Sequence, residues 1–281
     1  MKKILYLFFG TALLSMTSCM GIDNWSEPDC TFSGTVIDSY TGEPLLASQN
    51  EWQIRIWEKT WTGHEGGATN QQDLRIKQDG TYQNTKLFAG TYDMLPYDGP
   101  FWPVDTVKGV VLKNSTKQDF TVTPYLQIID LNTEVGTYNF GTDAAPNMRP
   151  SLTLYCRIKA PRRDGLPDIR DIQAFLSRTI FCGNGNDSKI DIPEYTSDVS
   201  DNPNTAFDER GTQGRIAVNR NWADACRWLD PAWTDSDTSP RVRIGPLPVN
   251  SGYTYYVRMG TSLSVGNNRF NYSPIVEVTI P

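Results

Sequence analysis

Histidine occurs once in the 281 residues, at His64, and positive charge is scarce, with 26 Lys and Arg against 32 Asp and Glu for a formal net charge of −6. A Ser-His-Asp or Cys-His pair would have to use that single imidazole. It lies in Thr62-Gly63-His64-Glu65-Gly66-Gly67, a polar run that seats a fixed base poorly. Zinc needs three or four His or Cys ligands at set spacings, and the sequence has no such set. The acidic balance argues against a general nucleic-acid binder, whose phosphate affinity needs positive charge. No phosphate-binding glycine loop or dinucleotide fingerprint occurs, and Gly183-Asn184-Gly185 alone carries no weight. The nearest approach to a calcium loop, Asn184 to Asp191, lacks the Asp-x-Asp-x-Asp-Gly pattern and contains Lys189, so a plain turn explains it better. Long apolar runs are missing too: none reaches the ~18 residues that a membrane-spanning helix needs. No metal or cofactor is expected.

What is present begins with an address. Lys2 and Lys3 precede an eleven-residue apolar run, Ile4 to Leu14, which reads as a signal peptide over residues 1–18. Leu14-Ser15-Met16-Thr17-Ser18-Cys19 resembles the lipobox of bacterial lipoproteins, with Met16 where Leu is commonest. That resemblance implies lipidation at Cys19 and a tether over 19–29; an ordinary secretory signal with a chance Cys is the alternative. More than one acyl chain would give a stable membrane anchor. Asp23, Glu27 and Asp29 in the tether resemble, loosely, the signal that sends Bacteroidetes lipoproteins to the cell surface, although a plain solvated linker reads the same way. Losing two lysines with the signal moves the net charge to −8. Four cysteines remain, Cys30, Cys156, Cys182 and Cys226. In an exported chain they could be free thiols or oxidised in any of three pairings.

The rest divides by charge chemistry. Met20 to Tyr125 carries six Lys and two Arg, whereas Leu126 to Pro281 carries two Lys and fourteen Arg. The boundary falls near Thr123-Pro124-Tyr125, which predicts one unit over 30–124 and another over 125–281. The first reads as short strands between turns: Thr31–Ile37, where Gly34 suggests a bulge; Trp52–Trp57, with Trp52, Ile54 and Ile56 on one face; a hairpin signal at Asp79-Gly80; Ala89–Met94; and Lys117–Thr123. The second offers strands at Leu126–Leu131, Leu152–Lys159, Ile169–Arg178, Arg241–Ile244, Tyr253–Met259 and Ile275–Ile280. A long insertion near 183–233 includes a short helix within Asn219–Leu229, where Trp222, Ala225, Cys226 and Leu229 recur at helical spacing and Pro231 ends the run. Strands at this spacing predict an all-β fold of two β-sandwiches.

Gly34-Thr35-Val36-Ile37-Asp38, Thr41-Gly42-Glu43-Pro44-Leu45, Asp79-Gly80-Thr81-Tyr82 and Gly90-Thr91-Tyr92 together resemble the carboxypeptidase-regulatory-like domain, a transthyretin-like sandwich. Gly252 to Arg258 followed by Ser273 to Val278 looks like the last hairpin of an immunoglobulin- or fibronectin-like sandwich. With the lipobox, these features resemble a family of two-domain Bacteroidetes lipoproteins carrying a domain of unknown function. The resemblance implies an outer-membrane, lipid-anchored protein, exposed at the cell surface or facing the periplasm. It also implies company: glycan-utilisation proteins, TonB-dependent transporters and their binding lipoproteins.

Eight tryptophans stand out. Sugar rings stack their C–H faces on aromatics while Asp, Asn and Arg hold the hydroxyls. Trp57 and Trp61 fall opposite Ile54 and Ile56; Trp102 lies between prolines; Trp222, Trp228 and Trp233 crowd the insertion beside Arg220, Arg227 and Asp230. All six are candidate glycan-stacking residues, the last three their polar partners, and the arginine excess leans toward acidic sugars. The competing explanation is that Trp57 and Trp61 cap a sandwich and the later trio fills a core. The leading expectation is a non-catalytic glycan-binding accessory protein. A structural or assembly subunit that meets protein partners is the alternative, and a glycan hydrolase built on paired carboxylates a weaker one.

Overall fold

The computed structural model describes residues 27–60, 70–184, 214–265, 267 and 269–281. Cys19, Trp61, His64 and most of the long insertion, including residues 185–191 of the calcium-loop reading, lie outside them. Within the described residues the chain is β-rich, with several sheets and one short helix, as the strand spacing predicts.

Eight strands build the first half: β1 (Cys30–Asp38), β2 (Gln53–Glu58), β3 (Asn70–Arg75), β4 (Thr81–Leu87), β5 (Gly90–Tyr97), β6 (Val107–Leu112), β7 (Ser115–Lys117) and β8 (Phe120–Val122). One sheet runs β4-β1-β7, with β8 also on β1; the other runs β3-β2-β5-β6. Alternation decides what lies between them. Phe32 and Val36 of β1, Ile54 and Ile56 of β2, and Tyr92 and Met94 of β5 all point inward and are buried. Trp52 joins them, edge-on to Phe101 at 5.3 Å.

Two local expectations change. Gly34 is not a bulge, because its pairing with Tyr82 is in step and the register shift lies between Cys30 and Phe32. Its missing side chain matters instead, since a Cβ there would sit 1.8 Å from the Gln118 carbonyl oxygen, which passes between β7 and β8. Asp79-Gly80 does turn the chain, with Gly80 at φ +78°. It makes no hairpin, however: β3 pairs with β2 and β4 with β1, so the turn crosses from one sheet to the other.

The second half contains β9 (Gln127–Asn139), β10 (Met148–Lys159), β11 (Ile169–Ser177), β12 (Arg215–Arg220), β13 (Val242–Pro248), β14 (Thr254–Leu263), β15 (Phe270–Tyr272), β16 (Val276–Thr279) and helix α1 (Trp222–Leu229). A three-stranded sheet, β13-β10-β9, faces a five-stranded one, β12-β11-β14-β15 with β16 on β14. Leu152, Leu154, Cys156 and Ile158 of β10 share the inward face and are buried. Asn221 caps α1 by accepting from the Asp224 N–H at 3.0 Å.

A small third cluster, Phe175, Cys182, Phe270 and Tyr272 with Leu46 against it, joins the halves. Polar ties surround it. Arg258 donates to the Ala47 carbonyl at 2.7 Å, Asn271 to the Pro100 carbonyl at 2.9 Å, and Arg269 meets Asp98 at 2.7 Å. The last two come from β15 and the residue before it, a strand that no sequence pattern announces.

Candidate functional site

The outward face of β3-β2-β5-β6 gathers the most site-like chemistry. Because Ile54 and Ile56 point into the core, Arg55 and Trp57 must point out. Cross-strand pairing sets their neighbours: Arg55 lies opposite Asp73 of β3 and Leu95 of β5, and Trp57 opposite Gln71 and Asp93. Arg55 donates to both oxygens of Asp73, at 2.8 and 3.0 Å. With its amide turned to satisfy its neighbours, Gln71 accepts from the same guanidinium at 3.0 and 3.1 Å. The cation also lies 3.7 Å from the ring centroid of Tyr97. Arg55 is thus held on three sides, and the hydrogen bonds from it keep the Asp73 carboxyl below its ordinary range. Beside Trp57, Asp93 accepts from the Gly109 N–H at 3.0 Å and stands 3.6 Å from the Lys59 ammonium. The half-buried indole therefore sits on a rigid sheet among carboxylate and amide oxygens that retain lone pairs.

The other tryptophans are placed differently. Trp102 lies at the seam, 5.1 Å from the Tyr125 ring and with the Arg162 guanidinium 4.1 Å from its centroid. Trp222 is buried, donates through its indole N–H to the Ser236 carbonyl at 2.9 Å, and meets Trp233 edge-on at 6.5 Å. Trp233 donates to the Thr238 carbonyl at 2.9 Å, and both Trp228 and Trp233 pack on the second core. Trp222 is thus core, which corrects its reading as a sugar-stacking residue, while Trp228 and Trp233 are half-buried at the edge of that core. The Arg220 guanidinium stacks on Trp228 at 4.3 Å, Arg227 stands 3.5 Å from Asp224, and Asp230 accepts from the Ala232 N–H at 2.9 Å. Each of these three candidate sugar partners thus has a partner within the chain. Composition shows neither outcome, because a half-buried Trp suits a core edge and a binding face equally well.

Among the described residues no three His, Cys, Asp or Glu side chains gather as metal ligands, and no helix is long and apolar enough to cross a membrane. Glu51 is buried between the halves, and burial raises its pKa against the hydrogen bonds it accepts.

Residues 30–123 match the sequence model of the N-terminal domain of a protein family of unknown function, DUF3823. No curated protein sequence matches the chain. The fold is similar to that of a candidate carbohydrate-binding protein from Bacteroides uniformis ATCC 8492, with TM-score 0.60 and 21% identity over 90% of this chain and 100% of that one. A DUF3823 family protein from the same organism aligns with TM-score 0.58 at 21% identity, again over 90% of this chain and all of the other. Another, from Bacteroides ovatus ATCC 8483, gives 0.53 at 16% identity with the same coverage. These likenesses establish the overall fold.

Proposed function

We propose that the chain is a non-catalytic, lipid-anchored glycan-binding protein of the outer membrane, an accessory to glycan capture and uptake beside a TonB-dependent transporter and its binding lipoprotein. The observation that carries this is Trp57, held outward on a sheet between Asp73, Gln71 and Asp93. A sugar ring laid on the indole would bring its equatorial hydroxyls to those oxygens, while the C–H face loses water. The similar structure named for candidate carbohydrate binding agrees with this reading. The lipid anchor rests on the Cys19 resemblance, and the units 30–124 and 125–281 on the charge partition and the separate cores. Cys19→Ala should release the protein from salt-washed membranes; retention there would remove the anchor.

One observation favours the alternative of a protein partner. Past Ser151 the β9–β10 ribbon leaves β13 and continues as two strands. Tyr138 and Met148 there are exposed, as is Val135 just before it, with Tyr138 edge-on to Phe140 at 5.1 Å. An exposed ribbon with apolar side chains suits docking on another protein.

The deciding experiment is a glycan array on the protein from residue 20 onward, followed by titration of each hit. Removing a stacked ring should cost roughly 1–3 kcal/mol by analogy with aromatic–base stacking, a loss of about 5- to 150-fold in affinity. Unchanged affinity in a well-folded Trp57→Ala variant would end the platform reading and favour the ribbon.

A further inference from the structure

Most arginines of the second half are already committed. Arg163, Arg215, Arg227 and Arg269 pair with Asp235, Asp171, Asp224 and Asp98. Arg162, Arg178, Arg220 and Arg258 lie over aromatic rings. The surplus that leans toward acidic sugars in the sequence is thus largely spent on the protein itself.

Two arginines on the β9-β10-β13 sheet differ. The Arg157 side chain has no ion pair, hydrogen bond or ring partner among the described residues, and that of Arg241 has only a ring. Both are exposed. Together with Asp130, Asn132 and Cys156 they line a cleft of about 420 Å³. Its origin is a break in the ladder. The β9–β10 register shifts between Tyr155 and Arg157, and Asp130 opposite takes a left-handed φ of 54°. The sheet opens there and re-aims the side chains on either side. Arg241 is held in place: its guanidinium lies 4.0 Å from the Tyr155 ring centroid, and the Tyr155 hydroxyl donates to Glu134 at 2.9 Å. The cleft therefore offers two guanidiniums against one carboxylate, in a chain whose net charge is negative.

We propose that this cleft binds the carboxylate of a uronic-acid residue in an acidic glycan. This rests on the glycan-binding reading and adds to it the charge of the ligand and a second face. A guanidinium fork matches a carboxylate through two parallel N–H···O bonds. Asp130 and Asn132, on the same wall, suit the ring hydroxyls. A sulfate ester presents similar oxyanion chemistry, so the probes must separate a sugar carboxylate from any small anion.

The test titrates the protein from residue 20 onward by calorimetry with trigalacturonate, its methyl ester, neutral galactotriose and inorganic sulfate, at low and at physiological salt. Trigalacturonate should bind more tightly than its ester by about tenfold or more, more tightly than sulfate, and less well as salt rises. Arg157→Gln and Arg241→Gln should each weaken it by about tenfold, the cost of one charge-assisted pair. Arg178→Gln, outside the cleft lining, should not. The arginines are exposed, and matching melting curves confirm the fold. Equal affinity for acid and ester, sulfate binding as tightly as the trisaccharide, or indifference to both cleft variants would each overturn the proposal. The wider reading fails separately: it falls if no sugar, neutral or acidic, binds and Trp57→Ala changes nothing, whereas neutral binding lost in Trp57→Ala upholds it even when the cleft proposal fails.

Discussion

The Tyr272 hydroxyl, on β15, donates a hydrogen bond of 3.1 Å to the carboxylate of Glu51, which stands just before β2 in the other half of the chain. The same carboxylate accepts from the Phe270 N–H at 3.2 Å and the Ser48 N–H at 3.0 Å. Arg258, fully buried, lies over the Tyr272 ring at 3.7 Å. One acid of the first half thus satisfies two donors of the second and supplies negative charge to a buried cation. Glu51→Ala should leave three donors and a cation without that partner and cost about 3–5 kcal/mol, as broken buried charge networks do. Urea unfolding checks this; a loss below about 1 kcal/mol would mean that water or rearrangement replaces the carboxylate.

The same group sets a pH dependence. Burial raises the Glu51 pKa above its ordinary 4.5, outweighing the hydrogen bonds and the Arg258 charge that lower it. Folded protein therefore holds that proton to higher pH than unfolded chain. Its contribution to stability is full below the unfolded value and is lost as pH rises through the folded one. Stability should fall on going from about pH 4.5 toward neutrality, and Glu51→Gln should flatten that slope. Asp73 acts oppositely: its pKa is lowered, so its contribution is present above 3.8 and fades as pH falls further. Melting curves across this range, for both proteins, separate the two.

Much of this was legible in the sequence. The alternation at Ile54 and Ile56 places Trp57 outward, and the spacing of Trp222, Ala225, Cys226 and Leu229 marks the helix and its buried side. The seam was not legible, because Phe270-Asn271-Tyr272 is too short to show a period and the hydrogen bonds that tie it to the first half reach back 171 residues or more. Arginine counts report charge but not partners, so they conceal that Arg157 and Arg241 face the cleft.

Gly34→Ala should be costly for a steric reason. The new methyl would meet the backbone carbonyl of Gln118 first and the hydroxyl of the buried Tyr82 at 2.5 Å next. We expect a loss of about 1–3 kcal/mol, the usual range for overpacking, together with weakened pairing of β1 with β7 and β8. Thermal denaturation measures the first and amide exchange at Thr35 and Val36 the second; a neutral substitution would show that the strands part more easily than their packing implies.

The four described cysteines are free and buried. Burial pushes the Cys156 and Cys226 thiols up to about 12 and Cys182 to about 11. Thiolate, not thiol, is the reactive form. In the protein from residue 20 onward, Ellman's reagent at about pH 8 should therefore find almost no thiol before denaturation and four after it. Added reductant should leave the melting temperature unchanged. Fewer than four thiols in the denatured, unreduced protein would reveal a disulfide.

Trp57 and Trp222 should separate binding from stability. Trp222→Ala empties a buried site and orphans the Ser236 carbonyl, so it should cost about 3–5 kcal/mol of folding free energy. Trp57 is half-buried on the sheet exterior, and its truncation should cost about 1 kcal/mol and shift the urea midpoint little. A sugar stacked on Trp57 would also change the environment of that one indole, whereas Trp52 and Trp222 are already sealed from solvent. Titration with a bound glycan should therefore change the fluorescence of wild type. Trp57→Phe keeps an aromatic face, so it should retain most of the affinity while losing the signal, and Trp57→Ala should lose both. If the signal survives in Trp57→Phe, another tryptophan reports the ligand, and the sugar must be sought away from the β3-β2-β5-β6 face.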